Sequence, residues 1–381
     1  MRINTDTLSI IPMIIRCRLA RNDKASACPP VAITFSVTGM CQSECKTCHI
    51  GREFRKNAKE IKAKSLSLGE IEKTFQNLGR VYYLNISGGE PYLRRDLPEI
   101  VELAMQYLKP RIVHIPTNAF LPERIDAMTR TILETMSKYN HTIPLTVKPS
   151  IDGIGERHDE IRGLKGNFER LEETIKRLKV IEEEHPNFHL ELGTVVSNYN
   201  VADLTEIEDW VHSQGVQSYR NEIAEQREEF FNIGENITPS DEVYKKLMVS
   251  FTKKIKKNLS TKRPLAKMTE SMRLVYYDLA LKILRERKQV IPCYAGISNI
   301  HLNYDGELWP CCVLGYAHSL GNLRDFRYDY YALYGSRKAR KVRKYIRDGR
   351  CCCPLANQAY SNMLMNPRYL GKMFTNYLMF S

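Results

Sequence analysis

The run Cys41-Gln42-Ser43-Glu44-Cys45-Lys46-Thr47-Cys48 comes just after an apolar stretch, Val31–Val37, that reads as a strand. Its CxxxCxxC spacing supplies three thiolates, where a closed tetrahedral metal site takes four ligands. Three suit an iron–sulfur cubane that keeps one iron free of protein ligands, open to bind and reduce another molecule. Zinc is the commoner use of closely spaced cysteines. Here no second CxxC pair stands at zinc-finger spacing, and His49 lies too close to Cys48 for easy joint coordination of one ion.

Outward from this loop, short strand-like runs alternate with amphipathic segments of helical period as far as about Glu222. The expected strands are Val31–Val37, Val81–Ser87, Arg111–Pro116, Leu145–Ile151, His189–Val196 and Val216–Asn221. One intervening helix carries Ile71, Phe75 and Leu78 on one face and opens with a capping box, Ser67 and Glu70. A later one places Phe168, Leu171, Ile175 and Leu178 on a stripe. Such βα repetition implies a parallel sheet, in which ligand-binding residues gather at the carboxyl ends of the strands. The cysteine loop ends the first strand, Gly88-Gly89-Glu90-Pro91 the second, Thr117-Asn118 the third, and Ser150 with Asp152 the fourth.

Two motifs in this register carry a family resemblance. The cysteine loop resembles the cluster loop of the radical S-adenosylmethionine (SAM) enzymes, and Ser87-Gly88-Gly89-Glu90-Pro91 resembles that superfamily's second signature. Paired glycines let backbone approach a ligand closely, and a carboxylate can receive an ammonium group. The resemblance implies a partial (β/α)6 TIM-type barrel. Cys41, Cys45 and Cys48 would hold a 4Fe-4S cluster as the catalytic centre, and Gly88, Gly89 and Glu90 would take the amino group of SAM. By order along the chain, Asn118, Ser150, Asp152 and Thr194 would touch its ribose and carboxylate. Asp152-Gly153 also reads as an ordinary turn. The residue before the third cysteine is often aromatic in the family and packs on adenine; here it is Thr47.

A second cysteine group follows a helical connector expected at Asp241–Leu259 and Glu270–Arg287, with a break at Pro264. Cys293, a hairpin signal at Tyr304-Asp305-Gly306-Glu307, and Cys311 resemble the opening of the SPASM/twitch extensions of radical SAM proteins, which carry auxiliary clusters. Adjacent cysteines rarely serve one cluster, so the six of this region reduce to four. The choice is Cys293, Cys311, Cys351 and Cys353, with Cys312 and Cys352 as substitutes, for one auxiliary 4Fe-4S cluster. Buried thiols without metal are the plainer reading, and Cys17 and Cys28, outside every motif, are taken as structural. The resulting organisation is an N-terminal extension (1–30), barrel (31–225), helical connector (226–290), small α+β cluster domain (291–357) and helical tail (358–381).

The bulk numbers bound the rest. A chain of 381 residues with 43% hydrophobic content can bury a large core, and its formal charge of +13 favours anionic partners. Bunched cysteines, the Pro12 interruption of the apolar run Leu8–Ile15, and the lack of an 18-residue apolar stretch argue for a reducing, cytoplasmic setting without a membrane span. The basic run Arg337–Arg350, with Val342 and Ile346 on one edge, reads as a solvated helix face, and the aromatic and methionine residues of Tyr360–Phe380 as packing. The resemblance implies reductive cleavage of SAM to a 5′-deoxyadenosyl radical and hydrogen abstraction from a peptide or protein, or from a carbohydrate, lipid-linked or other small molecule. An electron donor such as flavodoxin or ferredoxin is the implied partner; nucleic acid is not expected. An iron–sulfur electron carrier or sensor is the non-enzymatic alternative, and leaves the Gly-Gly-Glu-Pro element unexplained.

Overall fold

The computed structural model describes residues 10–22, 27–216, 218–260 and 264–379. Six parallel strands follow the expected order: β1 (Ala32–Thr38), β2 (Tyr83–Gly88), β3 (Ile112–Thr117), β4 (Leu145–Pro149), β5 (Phe188–Val196) and β6 (Ser218–Ile223). Each lies within about two residues of its expected place. The residue Gln217 of the expected sixth strand is outside the described residues, as are Leu8 and Phe380. The sheet runs β6-β5-β4-β3-β2-β1 and then continues through β7 (Asn299–Leu302), β8 (Glu307–Trp309) and β9 (Gly321–Asn322).

The second cysteine region therefore joins the first through the backbone. β7 pairs in parallel with β1, Thr34 opposite His301 and Phe35 opposite Leu302, and β8 and β9 add antiparallel strands beyond it. The turn between β7 and β8 is the expected Asp-Gly turn: Asp305 Oδ1 accepts the amide of Glu307, and Gly306 takes φ +85°. One apolar core extends from Ile33 on β1 to Met373 near the C-terminus.

Strand alternation explains the layering. Ile33, Phe35, Val37, Leu84, Ile86, Val113, Ile115, Leu145 and Val147 are all buried on the helix-covered face. Phe35 meets Phe75 edge-on at 5.8 Å, and Phe75 shares its helix, Leu68–Leu78, with buried Ile71 and Leu78. Ser67 caps that helix and Glu70 returns the bond, the expected capping box. Leu171, Ile175 and Leu178 are buried likewise, with Phe168 at their margin. The opposite face of the sheet is polar: Ser36, Asn85, His114, Lys148, Glu191, Arg220 and Glu222 project there. In a sheet whose faces are both covered, the usual composition is apolar throughout; this inner face is reserved for something polar.

The connector departs from expectation at one point. Asp241–Asn258 is helical as read, and a second helix follows the expected break, but it spans Pro264–Glu286 and so begins at Pro264 instead of Glu270. Proline lacks only an amide that the first turn leaves unbonded anyway, and its fixed φ suits that position. Cys17 and Cys28 sit in a small separate cluster with Val31, Tyr294, Ile297 and Met365, their sulfurs 3.8 Å apart. The basic helix Arg337–Arg347 buries Ala339, Val342 and Ile346 and turns its charges outward. Met363, Met365, Tyr369 and Met373 pack inward at the C-terminus. Among the described residues, no helix is long and apolar enough to cross a membrane.

Candidate active site

The loop Cys41–Cys48 is clamped between three glycines. A Cβ on Gly89 would lie 2.1 Å from the Met40 carbonyl oxygen, one on Gly51 1.9 Å from that of Ser43, and one on Gly163 2.3 Å from that of Glu44. Each contact is backbone on backbone, so no side chain fits. Hydrogen bonds complete the clamp: Gly89 N to Thr38 O (2.8 Å), Glu90 N to Met40 O (2.7 Å), Lys46 N to Ile161 O (2.8 Å) and His49 N to Phe230 O (2.9 Å). The glycine pair expected to approach a ligand thus also approaches the cysteine loop; Gly88, at φ +123°, is pressed equally close to Thr38.

Glu90 sits at the centre and is buried. Its Oε1 accepts from Thr117 Oγ1 (2.8 Å) and the Tyr92 amide (3.2 Å), and its Oε2 from the Asn118 amide (2.7 Å). Burial raises its pKa against these donors. One acceptor position on Oε2 remains for a cation. Asn118 reaches back to the loop, donating to Ser43 Oγ (2.9 Å) and accepting from Gln42 Nε2 (3.3 Å).

Burial pushes all three thiols up, Cys41 to about 12, and repulsion from neighbouring thiolates adds to it at Cys41 and Cys48. A positive group opposes this at Cys45. Arg162, largely buried, is held by Asp152 at 3.0 Å and offsets part of the rise at Cys45. Asp152 also accepts the Val195 amide (2.9 Å), and Thr194 donates to Ile151 O (2.5 Å) while accepting from Tyr219. These two expected site residues are not among those that line the cleft into which the cysteine loop opens. Ser150, by contrast, lines it. Sequence reading missed Arg162, Gly51 and Gly163; they carry no motif, and nothing in their local order marks them as neighbours of the loop.

The cysteine loop, Glu90, Asn118, Ser150 and Arg162 open into one cleft of about 220 Å³. Its walls include Cys41, Cys45, Thr47, Cys48, Gly88, Gly89, Glu90, Asn118, Ser150 and Arg162, and also Cys311 and Cys312. Its floor is the polar face of the sheet. There Lys148 lies 3.5 Å from Glu222, and Arg220 3.1 Å from Glu191. Burial alone would raise Glu191, yet Arg220 and Lys148 hold it at about 2. The segment after β6 adds Glu225, Arg227 and Glu229. Burial lifts Glu225 to about 8, and neither of its carboxylate oxygens has a hydrogen-bond partner among the described residues.

In the second group, repulsion from Cys293 acts on Cys311, Cys351 and Cys353, and that from Cys311 on Cys353, on top of the dominant effect of burial. Gln289 Nε2 approaches Cys351 Sγ at 3.7 Å. Cys352 is exposed. Cys312 is set apart: its strongest charged neighbours are Arg227 and Glu229. Cys293, Cys311, Cys351 and Cys353 thus lie near enough to influence one another, and Cys352 also acts on Cys351 and Cys311 on Cys312.

The donor sets fit iron–sulfur clusters better than zinc. Tetrahedral zinc needs sulfurs about 3.8 Å apart. Among the described residues, neither cysteine group forms a set of ligand atoms all within 4.8 Å of one another, as a single ion requires. His49 turns away from the loop to Glu235, 2.5 Å from its Nε2.

Residues 35–206 match the family model described as the radical SAM superfamily. The chain is 25% identical over 319 residues to the antilisterial bacteriocin subtilosin biosynthesis protein AlbA of Bacillus subtilis, covering 82% of this chain and 61% of that protein. It is 25% identical over 315 residues to the GTP 3′,8-cyclase of Aquifex aeolicus, covering 80% of this chain and 88% of that one. The chain thus spans about three fifths of the length of AlbA. Its fold is similar to that of Streptococcus suis SuiB bound to S-adenosylmethionine, with TM-score 0.57, 15% identity, and coverage of 86% and 70%. It is equally similar to anSMEcpe with bound AdoMet, with TM-score 0.57, 15% identity, and coverage of 93% and 97%.

Proposed function

The chain carries a radical SAM domain over residues 35–206, and from that premise we propose an enzyme that abstracts a hydrogen atom from a peptide or protein substrate. Cys41, Cys45 and Cys48 would hold the SAM-binding cluster; Cys293, Cys311, Cys351 and Cys353 would hold an auxiliary one. When bound, the first cluster and SAM supply a one-electron reductive cleavage that yields the 5′-deoxyadenosyl radical. The chain's own residues bind and orient. Glu90 offers its remaining acceptor position to the SAM ammonium, beside the donors that fix its carboxylate. Arg162, aimed by Asp152, balances the negative charge of the thiolates. Gly88 and Gly89 hold the two loops in register, and Asn118 ties the third strand to the cysteine loop.

The single observation that carries this reading is the shared cleft, which has the first cysteine loop on one wall and Cys311 with Cys312 on another. A substrate seated there is within reach of both groups. Peptide chemistry is favoured by the relatives: AlbA belongs to bacteriocin biosynthesis, and SuiB, with TM-score 0.57 to this chain, is known bound to precursor peptide SuiA. Lys148, Arg220 and Arg227 in the cleft favour a second reading, an anionic small molecule, as do the GTP 3′,8-cyclase relatives.

The test is anaerobic reconstitution followed by SAM and a strong reductant. Release of 5′-deoxyadenosine is expected; its absence from protein with a full iron complement would sink the proposal and leave an electron carrier or sensor. Deuterium transfer from labelled peptide or from labelled nucleotide into 5′-deoxyadenosine then separates the two substrate readings.

A further inference from the structure

Glu229, His301 and Cys312 come from three separated segments, yet a carboxylate oxygen, a ring nitrogen and a sulfur from them all lie within 4.8 Å of one another. All three residues are buried. All three also line the cleft that contains the first cysteine loop. We propose that they form a mononuclear site for a divalent metal ion of the zinc type, separate from both cysteine clusters, with its fourth position open to the substrate. The site is independent of whether the cleft hosts SAM chemistry, although it faces the same space.

Chemistry selects the metal. One thiolate, one imidazole and one carboxylate are the ligands that zinc accepts together, and three protein ligands with one vacancy are the pattern of its substrate-binding sites. Tetrahedral zinc wants such atoms about 3.3 to 3.8 Å apart. His301 Nε2 and Glu229 Oε1 are already at 3.6 Å, and the Cys312 sulfur lies within 4.8 Å of both residues' ligand atoms.

The surroundings hold the three donors in place. The backbone of Glu228 and Glu229 bonds to the carbonyls of Val313 and Cys312, which fastens the post-β6 segment to the cysteine turn. A Cβ on Gly315 would lie 2.3 Å from Glu228 Cβ, so the turn needs its glycine to come this close. His301 is fixed on β7 and packs against the Trp309 ring at 4.8 Å. Ser36 Oγ lies 3.2 Å from Glu229 Oε1 and 2.8 Å from His301 Nε2. With the ion bound, its hydroxyl keeps the bond to the carboxylate and releases the ring nitrogen. The placement also gives the second of two adjacent cysteines a role: both line the cleft, but Cys311 lies near Cys293 and Cys351, while Cys312 is grouped with Glu229 and His301.

The test uses the full chain with both clusters assembled anaerobically, exposed to zinc and desalted. Metal analysis should find about one zinc alongside about eight irons. Zinc-edge X-ray absorption should show a single sulfur, at about 2.3 Å, with nitrogen and oxygen neighbours. Cys312→Ser and His301→Gln should each lower zinc at least tenfold with iron unchanged. Wild-type protein that retains no zinc overturns the proposal, as does an all-sulfur coordination sphere. So does a Cys312→Ser protein that loses iron, since Cys312 would then be a cluster ligand. The absorption measurement needs no variant, so it can overturn the proposal even where a variant misfolds. Failure of SAM cleavage with zinc bound would instead count against the proposed radical chemistry alone.

Discussion

Cys41, Cys45 and Cys48 belong to one loop at the end of one strand, whereas Cys293, Cys311, Cys351 and Cys353 are gathered from three segments spread over the C-terminal quarter. The first loop owes its shape to neighbours that have no side chain, Gly51, Gly89 and Gly163. The second group depends on a sheet extension, β7 to β9, and on the chain beyond the basic helix returning beside it. A contiguous motif can be presented by backbone alone; a dispersed one exists only when the tertiary structure has formed. The first should therefore answer sharply to changes in one loop, and the second to anything that loosens packing.

The largest expected effect breaks the comparison at its root. Replacing Cys41, Cys45 and Cys48 together with alanine should reduce 5′-deoxyadenosine release to background and iron from about eight to about four per chain, with the second cluster's spectrum intact. Next, Cys311→Ser should also remove about four irons, while Cys352→Ser, at an exposed position, should remove none. Equal losses from the two would mean that the second group is not selected by packing.

Smaller effects test the loop's dependence on its glycines. Gly51→Ala puts a Cβ against the Ser43 carbonyl and should cost about 3 kcal/mol, read from thermal unfolding, with loss of iron from the first site. Gly69→Ala is the control, because nothing lies within 4 Å of a Cβ there. It should stabilise the helix by up to about 1 kcal/mol.

The smallest effect concerns the tie between the two regions. Glu70 accepts from Arg324 Nε at 2.7 Å and from Tyr328 at 2.8 Å, and the Arg324 bond holds its carboxyl down to about 2. A depressed carboxyl stabilises the fold above its unfolded pKa, and that stability is lost as pH falls from about 5 towards 2. Because the pair is partly exposed, Glu70→Gln should cost only about 1 kcal/mol at pH 7. The gap between mutant and wild-type melting temperatures should narrow at pH 4; a constant gap would remove Arg324 as the cause.

Much of this was legible in the chain. Strand alternation and helical period placed six strands within about two residues, and the capping box at Ser67 and Glu70 formed as read. The second connector helix begins at Pro264, ahead of the expected Glu270, because the same residue that breaks a helix interior suits a first turn. Asp152 and Thr194 were read as ligand contacts because they end strands. Their bonds to Arg162, Val195 and Ile151 come from tertiary packing, which the position of a strand end in the sequence does not reveal.

Local spacing determined the three-thiol loop, the glycine pair beside it and the βα order, because each rests on residues a few positions apart. Tertiary structure alone decided which of two adjacent cysteines faces which group, what Gly51 and Gly163 are for, and that Glu229, His301 and Cys312 meet. The direction of a side chain and the distance between remote segments are set by packing, and packing leaves no local trace in the order of residues.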